Sequence, residues 1–304
     1  MNKYYSLVKY LIGWPLSLVA LVFVARIIYS NSSVAFKSIE QVNYFLLAIG
    51  ILLFVFFFFL KAYTWKLLLG EKGKTLSFRK NAFYLATAEL KRYIPGNIWG
   101  FAARATIFEN NNLSKREVFS YIIKESVLFS LSSLIISLVY ILSSESTPGI
   151  KLTVLSFTTI ATILFLLGKH IYYALNFNLL KKIIHLLIPT YSFLENFKIL
   201  SWSILSFILF GIGTYFSIIS IFSLDFSKIL IFVGIFNLSF FIGYISLITP
   251  MGLGVREGAM TLLLSSFLSA TSAAVASIFS RVIFIVSELL TLFIIYIWNK
   301  VSPK

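Results

Sequence analysis

The residues best equipped for chemistry in this chain are basic side chains set beside breaks in apolar sequence. One break reads Ile248-Thr249-Pro250-Met251-Gly252-Leu253-Gly254-Val255-Arg256-Glu257-Gly258. Another reads Glu89-Leu90-Lys91-Arg92-Tyr93-Ile94-Pro95-Gly96-Asn97-Ile98-Trp99-Gly100, with Arg104 a turn later. Proline has no backbone donor and glycine holds a helix poorly. Pro95, Gly96 and Gly100, like Pro250, Gly252, Gly254 and Gly258, are therefore expected to keep the backbone open. Arginine stays charged when desolvated and presents a planar fork of donors that fits phosphate. A helix starting after each break adds free N–H groups for the same anion. Arg256, Arg104, Arg92 and Lys91 are thus expected to bind the phosphate of a lipid headgroup, with Glu257 positioning or screening it. The same charges also suit structural ion pairs.

A further arginine, Arg281, lies within the last long apolar run, on one face with Ser277, Phe284 and Glu288. An arginine at the centre of a membrane helix costs ~2.5–3.5 kcal/mol on insertion scales. Arg281 should therefore face a bundle interior beside a carboxylate. Glu288 is two turns away, so Glu125 and Glu257 are the expected partners; Glu89 is another acid at membrane depth. Asp225 is the only aspartate, and no two carboxylates stand at metal-ligand spacing. No phosphate-cradling glycine loop and no nucleophile with a base are present. His170 and His185 read as interfacial polar residues rather than ligands. No catalytic residue, metal or cofactor is expected, which weighs against a self-contained enzyme.

The elements that must position these residues are membrane helices. Hydrophobic residues make up 59% of the 304, and charged residues 12%. Continuous apolar runs approach the ~20 residues that cross a bilayer. The expected fold is an all-α, polytopic integral membrane helix bundle with about seven to eight crossings and two broken or re-entrant segments. The runs are 11–29, 44–60, 119–142, 152–167, 204–224, 229–248 and 273–298. The first, after Lys3 and Lys9, is long for a signal peptide and reads as a crossing. Residues 168–200 are amphipathic: Leu179, Leu180, Ile183, Ile184 and Leu187 oppose Asn178, Lys181, Lys182 and His185, which suits a helix in the interface. Ser126, Ser130, Ser133 and Ser137 form a small-residue packing seam. The whole of 1–304 reads as a single domain, with a weak internal repeat of break-then-helix units near 93–104 and 249–258. The net charge of +15 reflects basic cytoplasmic loops facing anionic lipid, not nucleic acid.

The two breaks, Lys91 to Gly100 and Thr249 to Gly258, resemble motifs of the lysylphosphatidylglycerol synthase transmembrane-domain family, also called flippase-like domains. Met251 stands where a glycine is common. In that family the membrane domain is sometimes fused to a soluble aminoacylating domain. The sequence ends at Lys304 without one, so synthase activity is not expected of it. The resemblance implies a plasma (inner) membrane protein that translocates or handles a phospholipid or a polyprenyl-phosphate-linked lipid for the cell envelope. Its implied partners are membrane lipids and envelope-biosynthesis proteins. The transport route is expected between the two broken segments. Competing readings are a membrane glycosyl- or phosphoglycosyl-transferase and a non-catalytic subunit of envelope polysaccharide assembly.

Orientation follows from Lys61, Lys66, Lys72, Lys74, Arg79 and Lys80, opposed only by Glu71. This stretch and Lys181–Lys182 should be cytoplasmic, as should both termini, and 30–37 and 143–147 external. The chain has no cysteine, so a single Lys74→Cys substitution gives a clean reporter. A membrane-impermeant maleimide should leave it unlabelled in intact cells; labelling there overturns the orientation.

Overall fold

The computed structural model describes residues 42–91, 99–109, 113–145, 147–175, 177–246 and 252–301. These contain twelve α-helices and no strand. Helix α1 (Tyr44–Leu68) starts where the Asn43 side chain accepts from the N–H groups of Phe45 and Leu46, at 3.1 and 3.2 Å. Its apolar run ends at Leu60, but the helix continues for two more turns. Lys61 is not released into a loop, because its ammonium is buried and donates to Glu89 at 2.8 Å. The chain then turns at Gly70, which has φ +57° and lies against the Tyr191 ring, whose hydroxyl donates to the Leu68 carbonyl.

Next come α2 (Glu71–Lys74) and α3 (Phe78–Leu90), the latter capped by Ser77. Helix α4 (Trp99–Glu109) has 11 residues, about 16 Å of rise, roughly half the hydrocarbon thickness. Helix α5 (Lys115–Ser143) opens on a capping box in which Ser114 and Glu117 satisfy each other's backbone N–H groups. Helix α6 (Pro148–Leu166) begins with proline, where a missing donor costs nothing. Two short helices follow, α7 (Gly168–Ala174) and α8 (Asn178–Leu187).

The long amphipathic stretch expected over 168–200 ends sooner. A second capping box, Ser192 with Glu195, starts α9 (Phe193–Ile219), so residues 193–200 belong to a long apolar helix. A single 3-10 turn, Phe226–Lys228, is capped by Asp225 and leads into α10 (Ile229–Ile245). Helix α11 (Val255–Leu264) has 10 residues, and α12 (Ala270–Val301) has 32.

Among the described residues, six helices are long and apolar enough to cross a membrane: α1, α5, α6, α9, α10 with its 3-10 turn, and α12. They match six of the seven apolar runs, and the chain is a multi-pass membrane protein. The run at 11–29, the expected external segment 30–37, and Lys3 and Lys9 lie outside the described residues.

The chain divides into two compact units, Met1–Val55 with Ile208–Leu289 and Phe56–Phe207 with Leu290–Lys304. The second unit centres on Trp65, Leu69, Leu85, Phe108, Val118 and Ile122. Within it the Ser132 hydroxyl donates to that of Ser203 at 2.8 Å, tying α5 to α9. Ser133 and Ser137 are buried and donate to carbonyls of their own helix, as a packing seam requires. In the first unit, Phe284 meets Phe54 and Phe210 edge-to-face, with centroids 5.2 and 5.7 Å apart. Glycine allows close approach there: a Cβ on Gly211 would lie 2.7 Å from Val233.

Candidate functional site

Two groups of buried charge stand out, one in each unit. In the second unit, Arg104 projects from α4 and donates to Glu125 of α5 and to Glu89 of α3. The other oxygen of Glu89 accepts from Lys61 of α1. The Arg104 guanidinium also lies 4.3 Å from the centre of the Trp65 indole. Arg104 and Glu125 are each about 4% exposed, so water screens them little. Two cations and two anions answer one another, and the guanidinium shares its fork between two carboxylates. Arg104, expected to face a phosphate, sits at the centre of an ion-pair network.

In the first unit the chain enters α11 through two left-handed glycines, Gly252 at φ +67° and Gly254 at φ +81°. Gly252 is pressed against α10, where a Cβ would stand 2.6 Å from the Gly243 carbonyl oxygen. A Cβ on Gly243 would in turn stand 2.6 Å from the Cβ of Arg256. Only glycine at 243 and 252 lets the start of α11 sit this close to α10. Glu257, in the first turn, accepts from the Gly254 N–H at 2.7 Å, and its other oxygen is 3.7 Å from the Arg281 guanidinium on α12. The Ser277 hydroxyl donates to the Glu257 carbonyl at 3.0 Å. Arg256, beside it, lies against three phenyl rings: Phe210 at 5.0 Å, Phe284 at 5.4 Å and Phe240 at 5.5 Å. Arg256, Glu257, Arg281 and Glu288 are all buried.

Of the two expected partners of Arg281, Glu257 is the one in place; Glu125 serves Arg104. Lys91 closes α3 and is exposed. Gly100 and Gly258, expected to hold the backbone open, lie inside α4 and α11. A Cβ on Gly258 would touch nothing within 4 Å. Gly254 is needed for its positive φ, so Gly254→Leu would strain the backbone whatever space surrounds it. Arg92, Pro95, Gly96 and Pro250 lie outside the described residues. Sequence reasoning missed Lys61, Trp65 and the rings of Phe210 and Phe240, while Gly243 was legible only as a place for close helix packing. Lys61 carried a faint signal, a lysine one residue past four phenylalanines, but it read equally well as the start of a loop.

A family model described as Lysylphosphatidylglycerol synthase TM region matches residues 6–290 of the chain. No curated protein matches it.

The network around Arg104 makes a stability forecast. Arg104→Met takes the guanidinium away from both Glu89 and Glu125. Removing one partner of a buried pair costs ~3–5 kcal/mol. Thermal unfolding in detergent should show a large fall in Tm for Arg104→Met, partly recovered by adding Glu125→Leu. A single variant as heat-stable as the parent would show that the network carries no stability.

Proposed function

The chain belongs to the lysylphosphatidylglycerol synthase transmembrane-region family, and from that premise we propose that it moves a phosphate-bearing lipid between leaflets of the plasma membrane. The family places it among membrane proteins of lipid or envelope biosynthesis. The finer reading names the cargo as an anionic phospholipid or a polyprenyl-phosphate-linked lipid. It sets both termini on the cytoplasmic side, and proteins of envelope biosynthesis are its proposed partners.

The observation that supports this reading is the setting of Arg256. It is buried in the first turn of a helix too short to cross the bilayer, which follows a left-handed glycine entry. Short helices with unwound entries at membrane depth are where transporters hold charged cargo. Glu257 is turned toward the Gly254 N–H and Arg281. Cation–π contact with three rings steadies the guanidinium in this apolar setting. Arg256 is therefore the proposed phosphate contact. Arg104 holds its unit together as a structural charge.

Leaflet exchange of a labelled lipid by protein reconstituted in liposomes tests this, with rates normalised to folded protein. Arg256→Lys keeps the charge and loses the fork. It should slow exchange about tenfold or more while leaving Tm near that of the parent. Full exchange per folded Arg256→Ala molecule would end the proposal. Chemical conversion of the lipid would point to a transferase, and activity only with a co-purifying protein to a subunit role.

A further inference from the structure

Among the described residues, the buried Arg256, Glu257, Arg281 and Glu288 sum to zero in the first unit, as do Lys61, Arg104, Glu125 and the half-buried Glu89 in the second. The second unit buries one more cation, Lys124 on α5, only 6% exposed. All eleven acidic residues of the chain except Glu40 are described, and none of these forms an ion pair with Lys124. Its sequence neighbour Glu125 is turned to Arg104. A lysine held in apolar surroundings without a carboxylate is costly, and such residues mark sites for a charge that arrives from outside.

Its surroundings are those of an anion site. The Lys124 ammonium lies 5.2 Å from the centre of the Tyr121 ring. Ser120, one turn earlier on the same face, has a buried hydroxyl oxygen with no hydrogen-bond partner among the described residues. Helix α8 packs against α5 and brings His185, whose imidazole is held below its ordinary pKa by burial and by the Lys124 charge. Lys181, a turn before His185 on α8, sits 5.8 Å from the Tyr172 ring, which His185 also meets at 5.9 Å. Next to these cations and donors α8 exposes apolar side chains: Leu179 is 70% exposed, and Leu180, Ile183 and Leu187 are also open. A ligand that satisfies both parts has an anionic head and a hydrocarbon body.

We propose that Lys124, Ser120 and His185 form a second anion site, which takes the phosphate of an anionic phospholipid whose chains cover the apolar side of α8. This site does not include Arg256 and stands whether or not the lipid-transport reading holds.

Native mass spectrometry of the full chain tests it, after equilibration with equal amounts of phosphatidylglycerol and phosphatidylcholine. The parent should retain phosphatidylglycerol preferentially. Lys124→Met should lower that preference about tenfold, and Lys124→Arg should keep it. The exposed-charge control Lys80→Met should leave it unchanged. In phosphatidylcholine alone, Lys124→Met should be at least as heat-stable as the parent, because it removes an uncompensated buried charge. If inorganic phosphate stabilises the parent there, and not Lys124→Met, the site takes phosphate from solution and the anion assignment stands. An unchanged lipid preference in Lys124→Met overturns the proposal. So does a Lys124→Met chain that is less stable than the parent or fails to fold in phosphatidylcholine, since the protein itself would then hold the charge.

Discussion

A charge at membrane depth must meet an opposite charge, and this constraint organises both units. Lys61, Glu89, Arg104 and Glu125 come from α1, α3, α4 and α5, so one network fixes four helices against each other. In apolar surroundings a helix cannot slide by a turn without separating such a pair, and water is not at hand to take over. The Glu257–Arg281 pair does the same for α11 and α12, helped by the Ser277 hydroxyl on the Glu257 carbonyl. The hydrophobic effect supplies no drive between helices in lipid, because lipid is as apolar as leucine, which leaves close packing and polar contacts to hold them. Polar contacts of this kind therefore specify the arrangement.

Both units pair a short helix with the long crossing that follows it, but the polarity is exchanged. In one the arginine sits on the short helix and the glutamate on the long one; in the other Glu257 is on the short helix and Arg281 on the long one. The first unit also carries Arg256 in a ring-lined setting, placed there by Gly243, Gly252 and Gly254. Rings and carboxylates stabilise a guanidinium differently. Arg104 has both, its fork on Glu89 and Glu125 and its charge beside Trp65, while the ring-lined setting of Arg256 is the one for which a cargo role is proposed.

Much of the fold was legible because an apolar run of span length, in a chain with 12% charged residues, has little choice but to cross the bilayer as a helix. Six runs correspond to six long helices. The pattern misleads where charge and apolarity mix. Lys61 reads as loop because its partner Glu89 lies 28 residues away, a distance periodicity cannot report. Residues 193–200 look interfacial because Glu195 and Lys198 dilute the apolar signal, although Ser192 with Glu195 is a capping box in plain view. At the site, the residue types were legible, and Glu257 stood as one of two expected partners for Arg281. The commitment of Arg104 to two carboxylates was not legible, and nor were the rings around Arg256. Both depend on which helices become neighbours. The reason for Gly243 lies in its contact with Arg256, which sits on the other side of the chain break.

The contact proposed between Arg256 and a lipid phosphate is open to direct observation. A structure determined in a bilayer containing the transported class of lipid tests it most directly. A phosphate oxygen should then lie about 2.7–2.9 Å from the Arg256 guanidinium nitrogens, with Phe210, Phe240 and Phe284 still flanking the group. Lipid phosphates found only elsewhere, with Arg256 enclosed by protein at every occupancy of lipid, would contradict it.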